Sequence, residues 1–225
     1  MQIAIDGPAG AGKSTVAKLV AANLGYVYID TGAMYRALTY KVLQEQIDPA
    51  DEELVYAVLG TMELKLAPMS TDESMCRVLL GSEDITEQIR QPIVTKHVSL
   101  VASHSKVREA MVDLQRQLGQ SGDVVMDGRD IGTTVLPNAE IKFFLQASVE
   151  ERAKRRLAEL ERQGHSITLP DLIEQIKERD YNDSTRKVSP LRKADDAYDI
   201  DTTLLSIREV VDIILCLVAR RGACV

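Results

Sequence analysis

Residues Gly7-Pro8-Ala9-Gly10-Ala11-Gly12-Lys13-Ser14-Thr15 satisfy the spacing G-x-x-x-x-G-K-[ST] at every fixed position, directly after an apolar run that ends at Asp6. Glycines in such a turn let backbone N–H groups close on an anion, and a helix beginning at Lys13 aims its positive end at the same point. Lys13 would neutralise the β- and γ-phosphates of a nucleoside triphosphate, and the Ser14 hydroxyl would ligate Mg²⁺. A glycine turn without a ligand is the competing reading, and the strand-to-helix context argues against it. A second apolar run, Val124-Val125-Met126-Asp127, ends in a carboxylate that can hold the same ion through water. Taken alone, an Asp at a strand end is more often a turn or helix cap, and it is the upstream loop that favours the metal reading.

A triphosphate site leaves the phosphoryl acceptor open. No Asn-Lys-x-Asp guanine-reading motif occurs, which weakens a GTPase reading, while Arg36, Arg129, Arg152, Arg155, Arg156, Arg179 and Arg186 could converge on phosphates. Arg152, Arg155 and Arg156 stand at i, i+3 and i+4 of a predicted helix, so one face could close as a lid over the transferring group. The same spacing also suits a solvated helix laced with Glu150, Glu151 and Glu159. Spacing does not decide between the adjacent Arg155 and Arg156 for the γ-phosphate. Arg179, Asp183 and Arg186, at i, i+4 and i+7, predict two guanidiniums flanking one carboxylate. That arrangement suits a phosphorylated sugar, and an internal salt bridge is its alternative.

Positioning these groups requires a sheet and covering helices. Short apolar runs at 2–6, 26–30, 124–127, 141–145 and 197–200 read as buried strands. Helical periodicity covers 13–24, 33–46, 107–118, 148–163, 169–183 and 206–220. The alternation predicts an α/β fold, a parallel sheet covered by helices on both faces. Residues 61–98 break the pattern: Glu63-Leu64-Lys65-Leu66 alternates and Arg77-Val78-Leu79-Leu80 follows a polar loop, which predicts a small antiparallel insert. The expectation is one core over 1–225, an inserted subdomain at 61–98 and a lid at 150–166.

With 225 residues, 45% of them hydrophobic, the chain can bury a core without disulfides or metals. Its 27 basic against 34 acidic residues give a net charge of −7, which argues against a broad nucleic-acid or anionic-membrane footprint. Cys76, Cys216 and Cys224 form neither a disulfide framework nor a zinc pattern, and no signal or membrane-spanning run is present, so a cytoplasmic protein is expected. His97 and His104 could share a helix face, and they are assigned no role.

The chain resembles the bacterial cytidylate kinases, within the nucleoside monophosphate kinase family. The resemblance runs from end to end, through Ile5-Asp6-Gly7 and the rest of the phosphate loop, Asp30-Thr31-Gly32-Ala33-Met34-Tyr35-Arg36, and Gly81-Ser82-Glu83-Asp84-Ile85-Thr86-Glu87-Gln88-Ile89-Arg90. It continues through Asp127-Gly128-Arg129-Asp130-Ile131-Gly132-Thr133, Glu178-Arg179-Asp180, Asp183-Ser184-Thr185-Arg186 and Ile200-Asp201-Thr202-Thr203. It implies transfer of the γ-phosphoryl of ATP to CMP or dCMP, with Mg²⁺; nothing in the sequence compels more than a monomer. Carried across by residue, Thr31, Tyr35 and Arg36 belong to the acceptor site, with Arg36 on the acceptor phosphate. Ser99, Arg108 and Asp130 read cytosine, Arg179 and Asp183 hold the pentose, and Arg129 and Arg186 meet the acceptor phosphate. Lys13, Arg129, Arg186 and Arg155 are the catalytic candidates; Ser14 and Asp127 are the metal candidates. The insert resembles the enlarged monophosphate-binding segment of the bacterial enzymes. Thr31 stands where many relatives have serine, and Ser14 where some have glycine. A kinase for another small acceptor and a non-catalytic nucleotide-binding module are the rival readings.

Overall fold

A computed structural model of the chain describes residues 1–68, 76–120, 122–162, 164 and 166–222. Residues 69–75 of the expected insert, 163 and 165 of the expected lid, and Cys224 lie outside the described residues. Five strands, β1 (Gln2–Asp6), β2 (Val27–Asp30), β6 (Val124–Gly128), β7 (Ile141–Gln146) and β8 (Tyr198–Asp201), form a parallel sheet in the order β2-β6-β1-β7-β8. The central strands are apolar because both of their faces are covered. In β1, Ala4 enters one core cluster while Ile3 and Ile5 enter the other. Each buried Ile contributes about 2 kcal/mol of transfer free energy, and a one-residue slip would exchange the faces.

Helices α1 (Lys13–Leu24) and α8 (Ile207–Gly222) cover one face, packing Val16, Val20, Val210 and Ile214 on the sheet. The other face is covered by α2 (Thr31–Gln44), α3 (Glu52–Thr61), α4 (Pro92–Val101) and α5 (Ser105–Gly119). Strands β3 (Leu64–Pro68), β4 (Cys76–Leu80) and β5 (Glu83–Asp84) make the expected small antiparallel sheet, with Leu64 opposite Leu80. Val78, Ile85 and Ile89 seat it on Ala33 and Ala37 of α2. Helices α6 (Val149–Arg162) and α7 (Leu169–Thr185) pack on each other through Ala153, Leu160, Leu172 and Ile176.

Four features differ from the sequence expectations. Residues 61–98 contain most of a helix, α4, whose Val94, Val98 and Val101 are buried at helical spacing behind Pro92 at the first turn. The unexpected α3 begins where the Asp51 side chain accepts from the Leu54 N–H at 3.1 Å, and it buries only Val55 and Val58, too few for a clear period. Arg186 lies outside α7 at its C-cap, with extended backbone, so the i+7 helical position expected for it does not exist. His97 belongs to α4 and His104 precedes α5, so they share no helix face; His104 Nε2 sits 2.8 Å from the Pro49 carbonyl oxygen.

Candidate active site

The cleft begins where β1 runs into the glycine-rich loop. Gly7 has φ 148°, and a Cβ there would collide with the Leu145 carbonyl oxygen of β7, so the turn is open only to glycine. Gly12, with φ 87°, caps α1. Gly7 and Pro8 form the back of the loop, while residues 9–15 line a cleft of about 1800 Å³. Lys13 is buried and donates from Nζ to the Pro8 carbonyl oxygen at 2.7 Å. Burial, reinforced by the charge of Arg129, pushes its ammonium below the usual lysine range.

Asp127, at the end of β6, accepts from Ser14 Oγ at 2.9 Å and from Tyr28 OH at 2.7 Å. Its burial, with Asp30 nearby, raises its carboxyl above the ordinary range. A hydroxyl and a buried carboxylate at one point make a hard-oxygen donor set, which fits a Mg²⁺ ion that keeps most of its shell for water and phosphate. Asp6, the last residue of β1, accepts from the Ile131 N–H at 2.8 Å and the Gly132 N–H at 2.7 Å. These bonds anchor the wide turn Ile131–Val135, closed by i→i+5 bonds from Val135 to Asp130 and from Leu136 to Ile131.

Next to the cleft lies a recess of about 50 Å³, and the two share Gly32, Ser99, Gly128, Arg129 and Arg179. Thr31, Tyr35, Arg108, Asp130, Asp183 and Arg186 line the recess. Arg108 Nη2 donates to Asp130 Oδ1 at 2.6 Å and Arg108 Nη1 to the Ala102 carbonyl oxygen at 3.0 Å, with the guanidinium 5.4 Å from the Tyr35 ring centre. Asp130 Oδ2 and Arg108 Nε are buried with no partner among the described residues. Asp183 accepts from Arg129 Nε at 2.9 Å and lies 3.9 Å from Arg186 Nη1. Burial works to raise the Asp183 carboxyl pKa, but Arg129, Arg179 and Arg186 together hold it below the ordinary range. The Thr31 hydroxyl donates to the Asp127 carbonyl oxygen at 2.7 Å, so it fastens α2 to β6.

The cleft wall also carries Arg36, which donates to Thr95 Oγ1 at 2.9 Å; burial and the neighbouring Arg179 push its pKa down to about 9. Arg179, half-buried, with its Nε buried and unpartnered among the described residues, is pushed down to about 10, by desolvation first and then by Arg129. Arginines gathered this closely on one cleft wall suit a multivalent anion, which would offset their mutual repulsion.

On α6 the three arginines diverge. Arg155 donates to the Thr202 carbonyl oxygen at 2.6 Å and to its hydroxyl at 3.2 Å, while Arg156 pairs with Glu159 at 2.6 Å and its charge reaches Arg36 and Arg179. Arg152 is bound to main chain and Asp180 and does not line the cleft. The expected common face of Arg152, Arg155 and Arg156 is therefore absent, because Arg152 packs inward under the loop.

Three groups escaped the sequence analysis. Arg90 lines the cleft, adds its charge to Arg36, and has a buried Nε with no partner among the described residues. It has no arginine at helical spacing to flag it, although it closes the Gly81–Arg90 block. Asp30 caps α2 by accepting from the Ala33 N–H at 2.8 Å and lines the same cleft. Asp6 was read only as the end of a strand.

The chain matches the profile of the cytidylate kinase family over residues 3–220. It is 56% identical over 215 residues to the cytidylate kinase of Bacillus subtilis, covering 96% of this chain and 95% of that one. It is 57% identical over 215 residues to the cytidylate kinase of Bacillus pumilus, covering 96% and 94%. Among solved structures it resembles an uncharacterized protein from Eubacterium ventriosum, with a TM-score of 0.50 at 13% identity over 97% of this chain and 98% of that one, a likeness of fold alone.

Proposed function

This chain belongs to the cytidylate kinase family, and we propose that its cleft transfers the γ-phosphoryl of ATP to CMP or dCMP through the residue roles derived below. An oxygen of the acceptor phosphate attacks the γ-phosphorus, and the bond from that phosphorus to the β,γ-bridging oxygen breaks, giving ADP and CDP or dCDP. The charge of the transition state lies on the equatorial oxygens, so positioned cations do most of the catalytic work.

Lys13 places its ammonium beside the β- and γ-phosphates, whose charge offsets the burial that lowers its pKa. Arg36, Arg129, Arg186 and Arg90 hold the acceptor phosphate, and Arg155 or Arg156 meets the γ-group from the donor side. Ser14 and Asp127 would hold Mg²⁺, which supplies charge neutralisation at the β- and γ-oxygens.

The recess takes the pyrimidine. Asp130 Oδ2 needs a donor and Arg108 Nε needs an acceptor. The cytosine edge offers both, an exocyclic amine beside ring acceptors, whereas uracil presents a carbonyl where Asp130 needs N–H. Ser99 borders the same recess. Arg179 and Asp183 hold the pentose between the base and the phosphate. All of these groups come from one chain, and a monomer is the proposed working unit.

The observation that carries this reading is the tip of β6. Asp127 faces the phosphate loop, while Arg129 and Asp130, two and three residues on, face the recess, so one strand end aligns donor and acceptor. Asp183→Ala tests it by removing the pentose carboxylate. The expected outcome is a rise in the CMP KM of about tenfold or more with the ATP KM little changed, read by steady-state kinetics. A selective rise in the ATP KM would contradict the assignment.

A further inference from the structure

Arg152 is 3% exposed, and the accounting of its N–H groups is unusually complete. Nε donates to the Ala147 carbonyl oxygen at 2.9 Å. Nη1 donates to the Ala9 carbonyl oxygen at 3.0 Å and to Asp180 Oδ1 at 3.1 Å, and Nη2 to Asp180 Oδ2 at 2.6 Å. Four of five donors are thereby committed to protein atoms. The side chain is also a floor for the loop, since a Cβ on Gly10 would stand 3.1 Å from Arg152 Cβ. A guanidinium so placed does not reach a phosphate.

Its other partner points to the role. Asp180 lies on α7 between the groups of the acceptor end, directly after Arg179 and three residues before Asp183. A bidentate pair is sensitive to small displacements, because both parallel bonds must keep their geometry. Helices α6 and α7 share one apolar cluster, so a shift of α7 is transmitted to the base of Arg152 as well as to its tip.

We propose that Arg152 and Asp180 are a positioning pair that links the donor phosphate loop to the acceptor-binding helix, so that occupancy of the acceptor end changes the affinity of the donor end. The inference rests on the reading of the cleft as a two-nucleotide site. Arg179 and Asp183 settle on the acceptor, α7 takes one position, and the Asp180 carboxylate holds Arg152 against the Ala9 carbonyl in the loop conformation that binds triphosphate. Linkage requires the converse effect, with bound donor tightening the acceptor by the same factor.

Calorimetric titration of Mg²⁺ and a β,γ-imido analogue of ATP, with and without saturating CMP, tests this on wild type and Asp180→Asn. Asn keeps the size of the side chain and removes its charge and one of its two acceptor oxygens, both of which accept from Arg152. The wild type should bind the analogue about fivefold or more tightly with CMP present. In Asp180→Asn that factor should fall to about one, with the affinity for CMP alone kept within about threefold and a melting temperature lowered by the loss of the charge that faces the buried Arg152.

Arg152→Lys, which keeps the charge but not the fork, should lose the coupling in the same way. An unchanged coupling factor in both variants overturns the proposal. So does a melting temperature that falls while the analogue weakens equally with and without CMP, since that is the pattern of a structural bond only. A wild type that phosphorylates CMP yet shows no coupling also overturns it. A wild type that fails to phosphorylate CMP overturns instead the reading of the cleft on which it rests.

Discussion

At the scale of single residues, the cleft gathers Lys13, Arg36 and Arg179, whose burial and neighbouring positive charges push their pKa values down. Lys13 is the sharpest case, buried beside Arg129 and Arg179 and donating to the Pro8 carbonyl oxygen. Lys13→Met should lower kcat about 10²- to 10³-fold. Removing a buried, depressed cation costs the fold little, so the melting temperature should hold; a variant with wild-type turnover would end the assignment.

Asp6 titrates beneath the loop, where it holds the turn Ile131–Val135. Burial raises its carboxyl to about 7, against the lowering effect of the Gly132 and Ile131 N–H groups. The folded chain therefore keeps a proton that the unfolded chain has already released, and Asp6's contribution to stability falls as pH rises from the ordinary carboxyl range through about 7. Asp6→Asn lacks this dependence. The melting-temperature advantage of wild type over Asp6→Asn should shrink on the order of 5 °C from about pH 5 to about pH 8. A constant or widening gap would place the carboxyl in its ordinary range.

At the scale of elements, what was readable in the sequence is what one local rule determines. The parallel strands and α1 follow from apolar runs and from the loop motif between them, and their observed ends fall within about two residues of expectation. Helices α3 and α4 were missed because each buries only two or three residues, and α3 runs directly into the alternating stretch at 63–66 that reads as strand. Arg186 was drawn onto a helix that ends one residue earlier, since spacing alone carries no stop signal there. The divergence of the α6 arginines was illegible because it depends on a contact with Ala9, 143 positions away.

The β1–loop–α1 unit also makes a prediction of its own. Its turn touches the β7 backbone at Gly7, so Gly7→Ala must displace either the loop or the strand. Denaturation in urea should show a loss of about 3 kcal/mol or more. A loss below about 1 kcal/mol would mean that the contact relaxes freely.

At the scale of the molecule, one parallel sheet brings a donor loop and an acceptor recess to the same edge, the carboxyl ends of β1, β2 and β6. The insert on α2 and the α6–α7 pair close the two sides of the cleft, each contributing arginines that lack full partners or depress one another. This division explains why the glycine-rich loop stands out in the sequence as nine contiguous residues. The recess draws on segments from Thr31 to Arg186, and its residues gather in the sequence only through family likeness. The central claim is that the recess reads cytosine, and ADP formation from ATP and Mg²⁺ with CMP, dCMP, UMP, AMP or GMP, each offered separately, tests it most directly. Turnover should be strong with CMP and dCMP and at least about tenfold weaker in kcat/KM with UMP and the purine nucleotides. Equal turnover with AMP or GMP, or none with CMP, would contradict it.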